Sequence, residues 1–561
     1  MAKLVKKKKK KGLSGISRGT GSSGMEMSSL RPHLIPKKPP CILNCPNDNP
    51  IRKALMTVSK AEEYEKTYEQ ALEEAWYIWM EKSPFPSVCG RVCPHPCETE
   101  CNRTALEGAV GINAFERYIG DFALEKKLHP KKLTEESRSE KIAIVGSGPA
   151  GMTCAYHLAR RGYPVTVFEA FPKPGGMLRY GIPDYRLPPD ILDAEINRIV
   201  DMGVELKCDV MVGNEIPLDQ LRKEYKAIFV GLGAHQGLKL RAEGEDADNV
   251  YTGTDFLHRV NVGEKVEVGD KVVVIGGGDT AVDAARVSRR LGAEVTILYR
   301  RTRTEMPAIE AEIEGALEEG IKIEYLAAPT KIHNENGHAT GMVCQRMELG
   351  EPDASGRRRP VPIEGDTFDL GCTTLIAAIS QAPDFTGFDN LIEGRDWIKI
   401  DDRCQTKVEG VFSGGDNVNL DIAITAIYHG RQAAEAIHEM ITGETIPKPE
   451  EMAIIRSDKM YIAYYEEKPR TEIKEMPVAE RLQKLDAEIV NTWTQEEAIA
   501  ETKRCMSCGE CFDCGTCWSL CTDNAIVKPL VKGQPYKVKM EFCTGCKKCA
   551  ENCPCGYIEM H

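Results

Sequence analysis

Two cysteine runs with the same spacing, near the end of the chain, restrict its fold more than any other feature. They read Cys511-x2-Cys514-x2-Cys517-x3-Cys521 and Cys543-x2-Cys546-x2-Cys549-x3-Cys553-Pro554. This spacing lets three thiolates hold one face of an iron–sulfur cubane while the fourth cysteine of each run crosses to the other cluster, so neither half folds without the other. A single run would leave zinc open. The repetition, the proline after Cys553 and the Ala525-Ile526 pair after Cys521 point to two [4Fe-4S] clusters in an α+β ferredoxin-type module over residues 504–561. Such clusters carry electrons singly.

The other cysteines refine that picture. Of 22 in 561 residues, six lie between residues 41 and 101 and eleven between 505 and 555, leaving Cys154, Cys208, Cys344, Cys372 and Cys404 in the long middle. Clustering at metal-ligand spacing argues against a disulfide framework and for a reducing, cytoplasmic setting. The five lone cysteines suit small buried apolar positions. A net charge of −12 gives no general affinity for nucleic acid, and no apolar run approaches the ~20 residues that span a bilayer. The Lys6–Lys11 block leads into Gly12-Leu13-Ser14-Gly15 rather than an apolar segment, so residues 1–32 read as a basic, disordered or extended tail and not a signal peptide.

The middle of the chain carries two dinucleotide fingerprints. An apolar strand, Lys141–Val145, runs into Gly146-Ser147-Gly148-Pro149-Ala150-Gly151 and a helix. Gly146 makes the tight turn, Gly148 lets backbone approach a pyrophosphate, Gly151 lets the helix pack on the strand, and Glu169, closing the next strand, is placed to accept from ribose hydroxyls. The pattern repeats in Lys271–Ile275 followed by Gly276-Gly277-Gly278-Asp279-Thr280-Ala281, with Gly278 at the close-approach position and Ala281 at the packing position. This second unit ends on Tyr299-Arg300-Arg301 instead of an acid. Guanidinium groups bind a 2′-phosphate that a carboxylate would repel, so the site favours NADP over NAD. A closing segment, Gly410–Asp416, returns the chain to the first unit, where Gly415 and Asp416 can meet an FAD and the helix opening at Ile424-Thr425 can aim its amides at the flavin. The predicted class is α/β, with an FAD domain in two parts, 136–250 and 381–445, around an NAD(P)H domain at 251–380. No Cys-x-x-Cys lies in this core, which disfavours a dithiol relay and leaves the metal clusters as the electron outlet. Hydride transfer needs no protein acid or base, so no catalytic side chain is assigned.

These motifs, with Cys89-Gly90-Arg91-Val92-Cys93-Pro94 and Gly175-Gly176-Met177-Leu178-Arg179-Tyr180-Gly181-Ile182-Pro183, resemble the small subunit of NADPH-dependent glutamate synthase and its relatives over about residues 35–445. With the ferredoxin tail added, the chain is most similar to the DsrL-type proteins associated with dissimilatory sulfite reductase and to proteins that feed benzoyl-CoA reductases. The resemblance implies an α-helical iron–sulfur module over 33–135 and FAD contacts from Gly176, Met177, Arg179 and Ile182. It also implies a cluster on Cys45, Cys93, Cys97 and Glu116. Relatives open with Cys-x2-Cys-x4-Cys-x3-Cys-Pro; here only Cys41-x3-Cys45-Pro46 remains, with His33 and Pro36 at the first two positions. A cluster using Cys41 and Cys101 therefore lacks two ligands, with Cys89 and His33 as substitutes or the site empty. Cys505, Cys508 and Cys555 stand as thiols or ligands, and residues 446–503 read as a linker.

The implied activity is that of an NAD(P)H:acceptor oxidoreductase, passing electrons between nicotinamide, FAD and [4Fe-4S] clusters. The partner would be a ferredoxin, a sulfite-reductase-type enzyme or a benzoyl-CoA-reductase-type enzyme, in a homo-oligomer or heteromeric complex. The alternatives are a relay subunit with vestigial nucleotide sites and a bifurcating subunit.

Overall fold

The computed structural model describes residues 28–394, 397–448 and 450–561; the Lys6–Lys11 block lies outside them. The first fingerprint builds a five-stranded parallel sheet in the order Val411–Ser413, Ala227–Val230, Ile142–Val145, Val165–Phe168, Glu205–Lys207. Its central strand, Ile-Ala-Ile-Val, is buried at every position, as expected of a parallel strand covered on both faces. Gly146 is obligatory at the strand end: its φ is +93°, and a Cβ there would stand 2.2 Å from the carbonyl oxygen of Gly231.

The second fingerprint builds its own parallel sheet, Lys322–Tyr325, Glu294–Tyr299, Lys271–Ile275, Thr374–Ala377, Val250–Thr252. An antiparallel meander, Ala327–Glu335, His338–Pro352 and Arg358–Gly371, is inserted before Thr374. It covers the sheet through Ile332, Met342 and Cys344, and the sequence reading did not anticipate it.

The N-terminal module is helical, with Ile51–Ser59, Tyr68–Met80, Pro86–Val92 and Ile112–Glu125 as its main elements. Thr67 and Gln70 form a capping box at the start of the second of these. Its core is continuous with that of the FAD-type unit: Trp76, Trp79, Phe85 and Phe115 belong to the same buried cluster as Tyr156 and Leu158. Glu195 of the FAD-type unit reinforces the seam by accepting from the backbone N–H groups of Ser87 and Val88, at 2.9 and 3.0 Å.

The ferredoxin-type module carries the short antiparallel pair Ile526–Val527 and Lys537–Val538. A second pair joins the two ends of the chain, Ile558–Met560 with Pro32–Leu34, so residues placed at the edge of the tail and helical module dock on the ferredoxin instead.

Residues 450–503, within the stretch read as a linker, pack as a strap against the body of the protein. Ile489 and Trp493 are buried, and the Ile489 N–H donates to the Tyr185 carbonyl. Arg117 donates to Thr492 Oγ1 and the Val490 carbonyl. Buried Glu501 accepts from the Gly111 N–H at 2.7 Å, and Arg504, 1% exposed, donates to the Gly108 and Ala109 carbonyls. Several of its charges pair with the body of the protein: Arg456 with Glu100, Arg470 with Glu98 and Arg481 with Glu318. Among the described residues, no helix is long and apolar enough to cross a membrane.

Candidate functional site

A cavity of about 450 Å³ opens at the carboxyl edge of the first sheet, where open α/β sheets bind ligands. Gly146, Gly148, Pro149, Ala150, Glu169, Gly176, Met177, Ile182, Gly415 and Asp416 all line it, as expected from sequence. Gly151 does not, and serves the packing role read for it: a Cβ there would lie 2.0 Å from the Gly146 carbonyl oxygen. Glu169 is buried and holds the glycine loop, accepting from the Ser147 N–H at 2.9 Å, from the Ser147 hydroxyl, and from the Phe171 N–H at 2.9 Å. Asp416 has one weak protein donor, the Asp421 N–H at 3.4 Å, and burial pushes its carboxyl up to about 6. Its acceptor capacity faces the cavity. Burial likewise depresses His235, on the same wall, to about 4, with a smaller contribution from His258.

Three expected FAD contacts fall elsewhere. Arg179 pairs with Asp193 and donates to the Pro174 carbonyl, so it buttresses the Gly175-Gly176 turn from behind. In the helix Ala423–Thr442, Ala423 and Ala426 share the cavity face. Ile424 is turned about 100° from Ala423 on that helix and lines the neighbouring cysteine cavity instead. Thr425 reaches neither wall, and its Oγ1 is buried without a partner among the described residues.

In the second unit, Asp279 and Thr280 face the same large cavity from across the cleft. Ala281 is fully buried, in its packing role, and Gly276 repeats the turn of Gly146, with φ +145°. Gly278 heads the helix Asp279–Arg290, and a Cβ there would meet only Pro307 Cγ, at 3.9 Å. The two arginines at the strand end differ. Arg300 is exposed, whereas Arg301 is 5% exposed and committed, pairing with Asp353 at 2.6 Å and donating to the Arg358 carbonyl at 2.7 Å. Arg301 therefore anchors the meander, and Arg300 stays exposed at the strand end. Arg303, beyond it, pairs with Glu310 and Glu314. The two units are locked by Arg186, whose guanidinium meets both oxygens of Asp283 at 2.9 and 2.7 Å.

Beside the large cavity lies a smaller one lined by Cys45, Cys93, Cys97, Glu116, Trp79 and Ile424. It brings together all four positions expected of one cluster. Glu116 Oε1 accepts from Trp79 Nε1 at 2.9 Å, and burial pushes the carboxyl up to about 8. The wall between the cavities is thin. Val92 and Pro94 face the large one, and Cys93, between them in sequence, faces the small one.

Cys41 and Cys101 line a third cavity, but neither expected substitute joins them. Cys89 is buried in the helix Pro86–Val92. His33 lies on the strand paired to the ferredoxin, its ring edge-on to His561 with centroids 5.3 Å apart. Cys505 and Cys508 complete the lining. Their Cys-x2-Cys spacing was visible in the sequence, but nothing local tied it to residues at the other end of the chain. In the ferredoxin-type module, Cys511, Cys514, Cys517 and Cys553 share one cavity, the crossed set that the spacing implies. Cys543, Cys546 and Cys549 lie together, and Cys521 follows the helix Thr516–Ser519, which packs on the helix Lys548–Glu551 that carries Cys549. Cys555 sits on the first of these cavities, its sulfur 3.8 Å from that of Cys553.

Two family models match the chain. Pyridine nucleotide-disulphide oxidoreductase covers residues 140–430, and the 4Fe-4S cluster domain II of dihydropyrimidine dehydrogenase covers residues 33–128. The NADPH-Fe(3+) oxidoreductase subunit beta of Geobacter sulfurreducens is 36% identical over 84% of this chain and 75% of its own length. The NADP(+)-dependent formate dehydrogenase subunit beta of Moorella thermoacetica is 35% identical over 88% and 74%, and the glutamate synthase [NADPH] small chain of Escherichia coli 36% over 71% and 88%.

Proposed function

The chain belongs to the pyridine nucleotide-disulphide oxidoreductase family, among its glutamate-synthase-small-chain-like iron–sulfur members, and on that premise we propose that it is an NADPH:acceptor oxidoreductase moving electrons between NADPH, FAD and [4Fe-4S] clusters. The observation that carries this reading is the shared wall. Val92-Cys93-Pro94 and Ala423-Ile424 each present neighbouring residues to the two cavities, so a dinucleotide site and a thiol-lined site stand one side chain apart.

The residues fit the groups. FAD, when bound, takes up an electron pair as hydride and gives electrons up singly. Asp416 would offer an acceptor to ribityl hydroxyls, Glu169 fixes the glycine loop that would meet the pyrophosphate, and the helix from Ala423 would supply its first amides to the flavin. Across the cleft, Gly278 leaves backbone open to the NADPH pyrophosphate, and Arg300 reads the 2′-phosphate. Cys45, Cys93, Cys97 and Glu116 hold the cluster next to the flavin. The sets Cys511/Cys514/Cys517/Cys553 and Cys543/Cys546/Cys549/Cys521 hold the terminal pair.

Two of the relatives are named as beta subunits, which supports a heteromeric assembly. The partner docks at the ferredoxin end, where Trp518, Phe542 and Leu530 are at least half exposed; a ferredoxin, a sulfite-reductase-type enzyme and a benzoyl-CoA-reductase-type enzyme are the candidates. Rapid mixing of the FAD-loaded chain with NADPH tests the core of the reading. Flavin absorbance should bleach, and EPR signals of reduced clusters should follow. Absence of bleaching with both NADPH and NADH would reduce the chain to a relay with vestigial nucleotide sites.

A further inference from the structure

We propose that Cys41, Cys101, Cys505 and Cys508 hold a further [4Fe-4S] cluster, with ligands from both ends of the chain, that joins the helical module to the ferredoxin. The four thiols line one cavity, whose remaining wall is largely apolar: Pro39, Leu55, Val110 and Met506. Among the described residues, no three His, Cys, Asp or Glu side chains close on a point fit for a single ion. A tetrahedral zinc draws its thiolates to a common centre at about 2.3 Å, whereas a cubane gives each thiolate its own iron at a separate corner. Four cysteines spread around a cavity suit the second arrangement.

The surroundings hold this site open and supply counter-charge. Arg52, itself part of the lining, donates from Nη1 to the Lys37 and Cys508 carbonyls, at 2.8 and 2.5 Å, and pairs with Glu510 at 2.7 Å. A cluster on four thiolates is anionic, and a buried guanidinium at its edge favours it. The two chain ends are fixed to each other independently of metal. The Lys37 N–H donates to the Gly509 carbonyl at 2.9 Å, the Ile455 N–H to the Lys38 carbonyl at 3.1 Å, and Arg103 Nη1 to the Arg504 carbonyl at 3.2 Å. The ligands are thus brought together by the fold.

Position gives the site its function. Cys41 and Cys101 are four residues from Cys45 and Cys97, which face the flavin-side cavity, and Cys508 is three residues from Cys511, which faces the first ferredoxin cavity. Because an extended chain advances at most ~3.6 Å per residue, these Cα pairs lie within ~14 and ~11 Å. The composite cluster is the intermediate station: it accepts one electron from the flavin side and passes one electron to the ferredoxin side, or the reverse, with no bond made or broken in the protein. Without it the helical module and the ferredoxin would be joined only by insulating protein.

Metal analysis of the anaerobically purified, FAD-loaded chain tests the proposal. Four clusters require about 16 irons and about 16 acid-labile sulfides per FAD, against about 12 of each if this site is empty. The double variants C505A/C508A and C41A/C101A, though altered at opposite ends of the sequence, should each fall to about 12, lose the same EPR component and, when combined, lose no further iron. Cys89→Ala should keep the full count. A count of about 12 in the unmodified chain overturns the proposal, with or without one zinc, and that measurement stands even if a variant fails to fold. Loss of different EPR components in the two double variants also overturns it. The site rests on the proposed electron path only for its role. NADPH bleaching of the flavin with a 12-iron count would sink the site alone, and a 16-iron count without bleaching would sink the proposed activity alone.

Discussion

The two nucleotide units begin alike and finish differently. Each runs a buried parallel strand into a glycine turn and a helix. In the first, the turn is roofed by residues from three other parts of the chain: Val92 and Pro94 from the helical module, Gly415 and Asp416 from the returning segment, Asp279 and Thr280 from the second unit. In the second, Asp279 and Thr280 at the helix start face that same cavity, a Cβ at Gly278 would meet only Pro307, and Arg300 is exposed at the end of the next strand. The same strand-turn-helix physics is set in two different surroundings, which in the proposed function suit a resident dinucleotide in one place and an exchanging one in the other. Residence is a property of the enclosure and not of the glycine fingerprint.

The sharpest way to break this comparison is a matched pair. Gly148 and Gly278 both have ordinary negative φ values and open space around a prospective Cβ, the nearest atoms being 4.0 and 3.9 Å away. Both valine variants should fold. Gly148→Val should purify nearly free of FAD, whereas Gly278→Val should keep its FAD and raise the KM for NADPH by more than tenfold, or roughly 1.4 kcal/mol. Loss of FAD from both would show that the units do not bind independently.

A second substitution tests the joint. Asp283→Ala strands the buried Arg186 guanidinium, which keeps only Glu312, at 3.3 Å, as an anionic partner. Breaking such a pair costs several kcal/mol; with Glu312 retained, about 3 kcal/mol of destabilisation of the second unit is expected in denaturant melts. A melt unchanged within error would mean that the units are held by the strap instead.

Arg300 and Arg301 come next. Arg300→Ala should raise the KM for NADPH about tenfold to a hundredfold while leaving NADH nearly unchanged, since a charge-assisted phosphate contact contributes ~1.5–3 kcal/mol. Arg301→Ala should lower the melting temperature and alter both nucleotides equally, because its guanidinium is spent on Asp353 and Arg358. If the two variants discriminate equally between NADPH and NADH, both arginines read the phosphate.

The smallest expected effect concerns the enclosure itself. Burial lifts the Asp416 carboxyl above its unfolded range, to about 6, so the folded chain binds this proton more tightly than the unfolded one. The resulting penalty builds up as pH rises from about 4 to about 6 and is complete above that. Asp416→Asn should stabilise the FAD-free chain at pH 7, by about 1 kcal/mol after partial screening, and should leave it unchanged at pH 4. Equal effects at both pH values would remove the carboxylate as the cause.

Some residues could be placed from sequence because their partners are near in the chain. Gly146, Gly148 and Gly151, or Cys511, Cys514 and Cys517, act within one turn of backbone, and spacing alone fixes which atoms meet. Glu116 was placed by resemblance, and it lines one cavity with Cys45, Cys93 and Cys97. The misplacements share the opposite trait. Arg301 looked available until Asp353, on the inserted meander, was found beside it. The stretch read as a linker has partners, among them Arg117, Gly111 and Tyr185, that lie hundreds of positions earlier, so its local sequence does not say what it packs on.

The sequence by itself determined the electron-handling character of this chain, its two dinucleotide units and the paired cysteine runs of its ferredoxin-type module, since each follows from side-chain spacing over a few residues. The tertiary structure alone decided what closes around what: which residues roof the cavity at the first fingerprint, which of the two arginines stays exposed, and that Cys41 and Cys101 share a cavity with Cys505 and Cys508. Those contacts depend on burial and on hydrogen bonds between segments hundreds of residues apart. A local pattern carries no record of them, because the free energy that selects them arises only when the whole chain packs.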